Sequence, residues 1–158
     1  MVHITIDGKL ILSGCLIINN SGEVLLLYRK DHHHYETPGG KVDTKECKDP
    51  DNPSREELAK TAGRELHEEL GNDIKVSKLE YFGSVEFLVP DGRKAVANKF
   101  VTKILSGRPK INEPDVFEKF DFLPVERLGD YPISPDLKLL LPKLKDYIKK
   151  LKAAVLVL

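Results

Sequence analysis

The chain has few of the residues that cross-link small secreted proteins or anchor proteins in membranes. Its 158 residues include two cysteines, one methionine and no tryptophan. Cys15 and Cys47 are too few for a disulfide framework and have no metal-binding spacing. We expect Cys15 in the core and Cys47 in an exposed loop. No apolar run is long enough to cross a bilayer, so the sequence excludes a helical membrane protein.

An excess of charge of either sign is also missing. Lysine and arginine balance aspartate and glutamate at 25 each, for a formal net charge of zero. The balance gives no electrostatic reason to expect binding to nucleic acid or to a membrane surface. The first residues, 1–7, lack the basic start and apolar block of a signal peptide, which predicts a cytoplasmic protein. The length predicts a single domain over residues 1–158 with a substantial core.

The most informative stretch is the acidic segment Arg64–Gly71, RELHEELG. On a helix, at about 100° per residue, Glu65, Glu68 and Glu69 lie on one side. Like charges at this spacing weaken an isolated helix. Carboxylates are, however, the ligands that Mg²⁺ prefers in proteins. The pattern favours a metal site, and a solvated acidic face is the alternative.

The residues before this segment predict where its helix begins and how it packs. Ser54 and Glu57 match a capping box, and Gly71 is a suitable stop after the last helical turn. Apolar residues recur every four positions and form one stripe that should face the core, namely Leu58, Ala62, Leu66 and Leu70. The acidic side therefore borders a cleft at the edge of the core.

A Pro-Gly-Gly turn precedes this helix, within Tyr35–Val42, YETPGGKV. Glycines there allow the backbone to approach a ligand closely. With this turn, the chain resembles the MutT-like nucleotide pyrophosphohydrolases of the Nudix hydrolase family. The resemblance is carried by Gly40, Glu46, Arg64, Glu65, Leu66, Glu68, Glu69 and Gly71.

The chain departs from the family pattern in two places. The spacer between Glu46 and Arg64 is roughly ten residues longer than usual, which predicts an inserted surface loop at about 47–54. Because of the insertion, Glu46, Glu56 and Glu57 compete for the role of the first signature glutamate. Asn72 occupies a position that is normally aliphatic, and Ile74 is the candidate replacement.

The resemblance implies an α/β fold, the Nudix α/β/α sandwich with a mixed β-sheet between helices. It implies a hydrolase, dependent on Mg²⁺ or Mn²⁺, that cleaves the pyrophosphate linkage of a nucleoside diphosphate derivative. A nucleoside triphosphate or an oxidised nucleotide is the expected small-molecule substrate. The alternatives are ADP-ribose, a nucleotide sugar, a dinucleoside polyphosphate or a capped RNA end, or a non-catalytic nucleotide-binding or regulatory domain.

The resemblance also implies roles for individual residues. The metal ligands are Glu68, Glu69 and the Gly40 carbonyl, with Glu65 as a third ligand or the general base. The catalytic residues are Arg64, Glu65 and Glu68. Arg64 is expected to orient a glutamate through an ion pair. The predicted substrate contacts are Arg29, Lys41 and the late-loop residue Glu118, with Glu113 as the second choice.

The remaining elements are predicted from local patterns. Two buried strands, 10–18 and 24–28, flank the turn signal at 19–22 and predict a hairpin. Strands are also expected over 81–89 and 95–105, as an antiparallel pair, and near 120–123. A helix over about 135–152 should pack on the sheet, with a kink or restart at Pro142.

Two features have no place in this scheme. Adjacent histidines on an extended segment point to alternate sides, so we expect His32, His33 and His34 to form a loop and not to converge on one ion. A contact with the substrate base stays open for them. The apolar tail 153–158 is expected to dock on this molecule or on a second copy, which would give a homodimer.

Overall fold

The computed structural model describes residues 2–157, with side chains through residue 154. Most of its strands form two sheets. The first sheet is mixed, with β8 parallel to β2, and the second is antiparallel. The first contains β1 (Thr5–Ile6), β2 (Lys9–Ile17), β5 (Gly39–Lys41), β7 (Glu80–Leu88) and β8 (Lys94–Thr102); the second contains β3 (Glu23–Arg29), β4 (His34–Glu36) and β10 (Phe117–Pro124); β6 (Lys75–Val76) pairs with β9 (Ile104–Ser106).

The central helix α1 spans Arg55–Leu70 and follows the predicted pattern. The Ser54 side chain accepts a hydrogen bond from the Glu57 backbone amide, and the Glu57 carboxylate accepts one from the Ser54 backbone amide, so the capping box is confirmed. Gly71 ends the helix at a φ of 90°, which L side chains rarely adopt. The apolar stripe is fully buried against the sheets, as predicted.

The interior strands β2 and β3 are apolar on both faces because a helix covers each side. On β3, Leu25 and Leu27 pack on the α1 side, whereas Val24 and Leu26 pack on the side of the C-terminal helix. Strands that are buried on both faces read as continuous apolar runs in the sequence. The resulting layers confirm the predicted α/β/α sandwich.

The predicted hairpin of β2 and β3 is wrong beyond its tip. The two strands are joined by a bridge between Ile18 and Val24 and by the Asn19 amide, which donates to the Glu23 carbonyl. Beyond that point they enter different sheets, where β2 pairs with β8 and β5, and β3 pairs with β10 and β4. By contrast, the predicted antiparallel pairing of β7 with β8 is confirmed.

The second helix, α2, spans Pro135–Val157 and ends beyond the predicted boundary at 152. It passes through Pro142 without restarting. Its buried side carries Leu137, Leu140, Leu144 and Ile148. The tail side chains from 155 onward lie outside the described residues, so their docking stays a prediction. No helix in the described part of the chain is long and apolar enough to cross a membrane.

The segment between β5 and α1 holds the inserted residues. A 3₁₀ turn, Thr44–Glu46, comes first, and residues 48–52 are exposed before α1 begins. Cys47 was expected to be exposed but is buried, because it packs into the core between the sheets and α1.

Candidate active site

Arg64 on α1 is the centre of a charged network. Its guanidinium donates two hydrogen bonds to the Glu46 carboxylate, from Nε at 2.9 Å and from Nη2 at 2.8 Å. The Nη1 group donates to Glu68 at 2.9 Å and to Glu65 at 3.2 Å. Such a forked pair fixes both partners in one geometry. Arg64 therefore sets the orientation of the acidic side chains around it.

Of the three competing glutamates, Glu46 is the one that pairs with Arg64. Glu46 also accepts a hydrogen bond from the Asp43 backbone amide, so its carboxylate is held by Arg64 and by the backbone before the 3₁₀ turn. Burial alone would raise the pKa of Glu46, but the hydrogen bonds from Arg64 and Asp43 lower it overall. Glu57 instead caps α1, and Glu56 is exposed.

Glu65 lies directly against the glycine turn. A Cβ atom on Gly40 would collide with the Glu65 carboxylate, and one on Gly39 would collide with the backbone of Gly14. Glycine is therefore required at position 39, where the neighbour is backbone, whereas a side chain at position 40 would displace the Glu65 carboxylate. Burial is the largest cause of the raised pKa of Glu65, Arg64 opposes it, and Glu68 adds to it.

Glu69 is the most buried acid of the group, with 4% of its surface exposed. Its Oε1 accepts a long hydrogen bond of 3.4 Å from the Gly39 amide, and its Oε2 has no hydrogen-bond partner among the described residues. Burial, followed by the charges of Glu65 and Glu36, raises the pKa of Glu69 well above its usual range. A buried carboxylate oxygen without a partner is costly unless a cation or a proton compensates it.

These residues fit a divalent cation. Glu65, Glu68 and Glu69 supply carboxylate oxygens on one side of α1, which is the donor set that hard cations such as Mg²⁺ prefer. The unpartnered oxygen of Glu69 and the space kept by Gly40 lie on this same side. Glu68 is 48% exposed at its side chain, so solvent and substrate can reach the group.

A late loop is attached to the end of α1. The Asn112 side chain donates to the Glu68 carbonyl at 2.9 Å, and its backbone amide donates to the Glu69 carbonyl at 3.0 Å. The loop brings Glu113 near the acidic group, where its charge contributes to the raised pKa of Glu65 and of Glu69. Glu118, the first choice from sequence, is exposed on β10, and its charge is not among the main contributions to the pKa of Glu65 or Glu69.

A cavity of about 290 Å³ opens on the other side of the glycine turn. Gly39, Gly40, Arg29 and Lys41 line it, so both predicted basic contacts border the same space. Arg29 is partly neutralised by Asp31, whose Oδ1 lies 2.8 Å from its Nε. The turn thus separates the helix carboxylates from a cavity large enough for part of a small ligand.

A family model for the NUDIX domain matches residues 11–144, which is most of the chain. The chain belongs to the Nudix family.

Solved Nudix structures share this fold. The MutT NUDIX hydrolase from Burkholderia pseudomallei is 24% identical, with a TM-score of 0.66, over 85% of this chain and 96% of that one. The Escherichia coli ORF135 protein is 25% identical, with a TM-score of 0.58, over 96% and 94%. The NUDIX domain of Shewanella oneidensis NrtR, solved with ADP-ribose, is 17% identical, with a TM-score of 0.65, over 89% and 88%. No curated protein matches the chain.

Membership in the Nudix family makes the chain a pyrophosphohydrolase that acts on nucleoside diphosphate derivatives. Nudix hydrolases generally use a divalent metal, and the acids of α1 are suited to hold one. The signature residues Gly40, Glu46, Arg64 and Glu65 are in mutual contact across the inserted loop.

Sequence reasoning missed a buried ion pair in the cavity of this Nudix domain. The Lys99 Nζ lies 2.9 Å from Asp136 Oδ2 and donates to Thr37 Oγ1 at 2.6 Å. Lys99 and Asp136 are only 5% and 8% exposed. A lysine inside an apolar strand was the available signal, because an isolated buried charge is rare.

The histidine prediction is only partly correct. His33 is exposed, as expected of a loop, but His34 belongs to β4. His32, His34 and Glu36 place ligand atoms within 4.8 Å of one another. All three also line the cavity.

Proposed function

We propose that this protein is a Mg²⁺-dependent hydrolase that cleaves a nucleoside triphosphate, or an oxidised form of one, to the monophosphate and pyrophosphate. One observation carries the proposal: the Glu69 carboxylate is buried near the charge of Glu65, with one oxygen on the Gly39 amide and the other without a hydrogen-bond partner among the described residues. A structural helix would gain nothing from this repulsive arrangement. A site that binds a cation against phosphate needs it.

In the proposed site, Glu68, Glu69 and the Gly40 carbonyl hold the ion, and Glu65 is either a third carboxylate ligand or the general base. The bound ion would neutralise the charge of the phosphoanhydride and acidify the attacking water. Mg²⁺ suits the all-oxygen donor set, and Mn²⁺ suits it as well.

The protein's own groups then supply positioning and proton transfer. Arg64 holds Glu65 and Glu68 at fixed angles by its hydrogen bonds. Where Glu65 is not a ligand of the ion, its carboxylate accepts the proton of the attacking water, and burial raises its pKa in the direction that favours this role. Glu113 is the second candidate for this step, since it lies in the loop fixed to α1 by Asn112.

The cavity is proposed to hold the nucleoside. Arg29 and Lys41 lie at its border and would contact the phosphates. Lys99, Thr37, Ser134 and Asp136 supply polar groups for the base or the sugar. A few polar groups in a shaped cavity are typical of nucleotide specificity.

A second substrate, ADP-ribose, is favoured by the neighbour from Shewanella oneidensis, which was solved with this ligand. ADP-ribose is itself a nucleoside diphosphate derivative and would use the same acids. A non-catalytic nucleotide-binding domain is the rival function, and the presence of every signature acid argues against it.

A product-release screen tests the proposal. Purified protein is incubated with Mg²⁺, with Mn²⁺ or with chelator, and with nucleoside triphosphates, oxidised nucleotides, ADP-ribose, nucleotide sugars and dinucleoside polyphosphates. We expect pyrophosphate from a triphosphate only when metal is present, and a loss of about 10²-fold or more in Glu68→Gln. Glu56→Gln, on the exposed side of the same helix, is the matched control.

Three results of the screen would contradict the proposal. The first is turnover in chelator, and the second is near-normal turnover of Glu68→Gln. The third is tight nucleotide binding without any product, which would identify a sensor domain.

A further inference from the structure

The chain path at the end of β3 brings two of the three adjacent histidines together. The His33 amide donates to the Arg29 carbonyl at 3.0 Å, which closes a tight turn. His33 has a φ of 53°, in the left-handed region that few non-glycine residues adopt. This turn reverses the chain, and the His32 and His34 rings meet edge to face with centroids 5.2 Å apart.

Strand geometry supplies the third group. Residues at positions i and i+2 of a strand lie on the same face, so His34 and Glu36 share one face while Tyr35 is buried on the other. His34 Nε2 lies 3.3 Å from Glu36 Oε1. Two donor atoms at tetrahedral angles around an ion, with bonds of 2.0–2.1 Å, are separated by about 3.3 Å. The distance between His34 Nε2 and Glu36 Oε1 is therefore the distance expected of two ligands of one ion.

The carboxylate of Glu36 divides its contacts between its two oxygens. Oε2 faces Arg29 at 3.6 Å, whereas Oε1 faces His34. Arg29 is also held by Asp31, which lies within the turn. An ion bound by Oε1 would leave the contact with Arg29 in place, and Arg29 would fix the orientation of the ligating carboxylate.

The donor set differs from that of α1. Two imidazoles and one carboxylate suit Zn²⁺ and similar borderline ions, whereas an all-carboxylate group suits Mg²⁺. Three protein ligands leave further coordination positions open. Since His32, His34 and Glu36 all line the cavity, a ligand there could reach those positions.

We propose that His32, His34 and Glu36 form a second metal site, specific for Zn²⁺-like ions, on the cavity side of the glycine turn and separate from the carboxylates of α1. Water, or a donor atom of a molecule in the cavity, completes the coordination.

The test is Zn²⁺ titration by calorimetry of the metal-free full chain, in excess Mg²⁺ so that the α1 acids are occupied. We expect wild type and His33→Asn to bind alike, because His33 is exposed beside the site and asparagine tolerates its left-handed backbone conformation, which makes this variant the matched control. His34→Gln and Glu36→Gln should weaken this binding by at least about tenfold. His32→Ala, at a more exposed position, serves if His34→Gln fails to fold.

Nitrogen-15 NMR of the imidazole rings locates the ion independently of activity. Zn²⁺ should shift the ring nitrogens of His32 and His34 and leave those of His33, His3 and His67 unchanged. Equal Zn²⁺ binding by wild type, His34→Gln and Glu36→Gln would overturn the proposal. So would binding that depends on Glu69 and not on the histidines, or no binding by the wild type.

Discussion

At the scale of single residues, Arg64 fixes the positions of the carboxylates around it. Its three nitrogens reach three carboxylates, and Glu46 receives two of the hydrogen bonds. Lysine has the same charge but lacks the planar fork, so it cannot reproduce this arrangement.

We predict that Arg64→Lys keeps the fold but loses turnover by roughly ten- to a hundredfold, with weaker metal activation. The loss should appear as a higher Mg²⁺ concentration for half-maximal rate, because the glutamates lose their orientation. Lys60→Arg, on the same helix, is the control. An unchanged Mg²⁺ dependence in Arg64→Lys would argue against a positioning role.

Glu69 gives a prediction about pH. Its pKa is raised in the folded state, so the metal-free protein binds this proton more tightly than the unfolded chain does. The associated stability is present below the unfolded pKa of about 4.3 and is lost as the pH rises through the folded pKa.

In chelator, the free energy of unfolding of the wild type should therefore fall, relative to Glu69→Gln, as the pH is raised from about 4.3. Saturating Mg²⁺ should recover stability in the wild type and much less in the variant. Thermal unfolding across pH, with and without Mg²⁺, measures both effects. Parallel curves for the two proteins in chelator would count against a buried repulsive charge.

At the scale of elements, the late loop and the end of α1 form one unit. Two hydrogen bonds from Asn112 reach backbone carbonyls that a helix end leaves unpaired. Because Asn112 is attached to α1, the next residue, Glu113, is held near the α1 acids.

We expect Glu113→Gln to lower turnover more than Glu118→Gln, because Glu113 shares the field of the α1 acids. Asn112→Ala should cost about 1 kcal/mol of stability and also lower turnover. Rates at saturating substrate for the three variants distinguish them. A larger loss of turnover in Glu118→Gln than in Glu113→Gln would instead favour Glu118, the first choice from the sequence.

The elements themselves were largely predictable from local signals. The cap at Ser54, the stop at Gly71 and the apolar stripe of α1 each depend on residues within one or two turns. The wrong prediction of a β2–β3 hairpin has the opposite cause, because local signals do not show which distant strands will pair. The divergence of β2 from β3 depends on partners such as β8 and β10, which lie far along the chain.

At the scale of the whole molecule, the Lys99–Asp136 pair links β8 to the start of α2. Burial alone would raise the pKa of Asp136, but Lys99 and hydrogen bonds lower it overall. Its stabilising contribution is therefore present at neutral pH and is lost as the pH falls through the depressed pKa.

Replacing one partner of this pair should destabilise the fold by about 3–5 kcal/mol, since the other charge is left buried and uncompensated. We expect Lys99→Met and Asp136→Leu each to show this loss in urea unfolding, and the double variant to recover most of it. Losses below about 1 kcal/mol for either single variant would show that water replaces the partner.

A local pattern could mark Lys99 as an unusual residue in an apolar strand but could not name its partner, because Asp136 is 37 positions away and the two meet only after the sheets assemble. The same holds for His32 and His34 with Glu36, where the left-handed turn at His33 decides the outcome. By contrast, the proximity of Glu65 to Gly40 could be expected, because both belong to the family pattern that the sequence resembles.

The contact between Glu46 and Arg64 has a practical consequence for the exposed residues 48–52. The pair closes the site across this segment, and the Lys48 amide, which donates to Glu57, closes its base. The segment is thus a side branch whose length is free to vary. It is the place to graft an epitope, a fluorophore or a purification handle without disturbing catalysis.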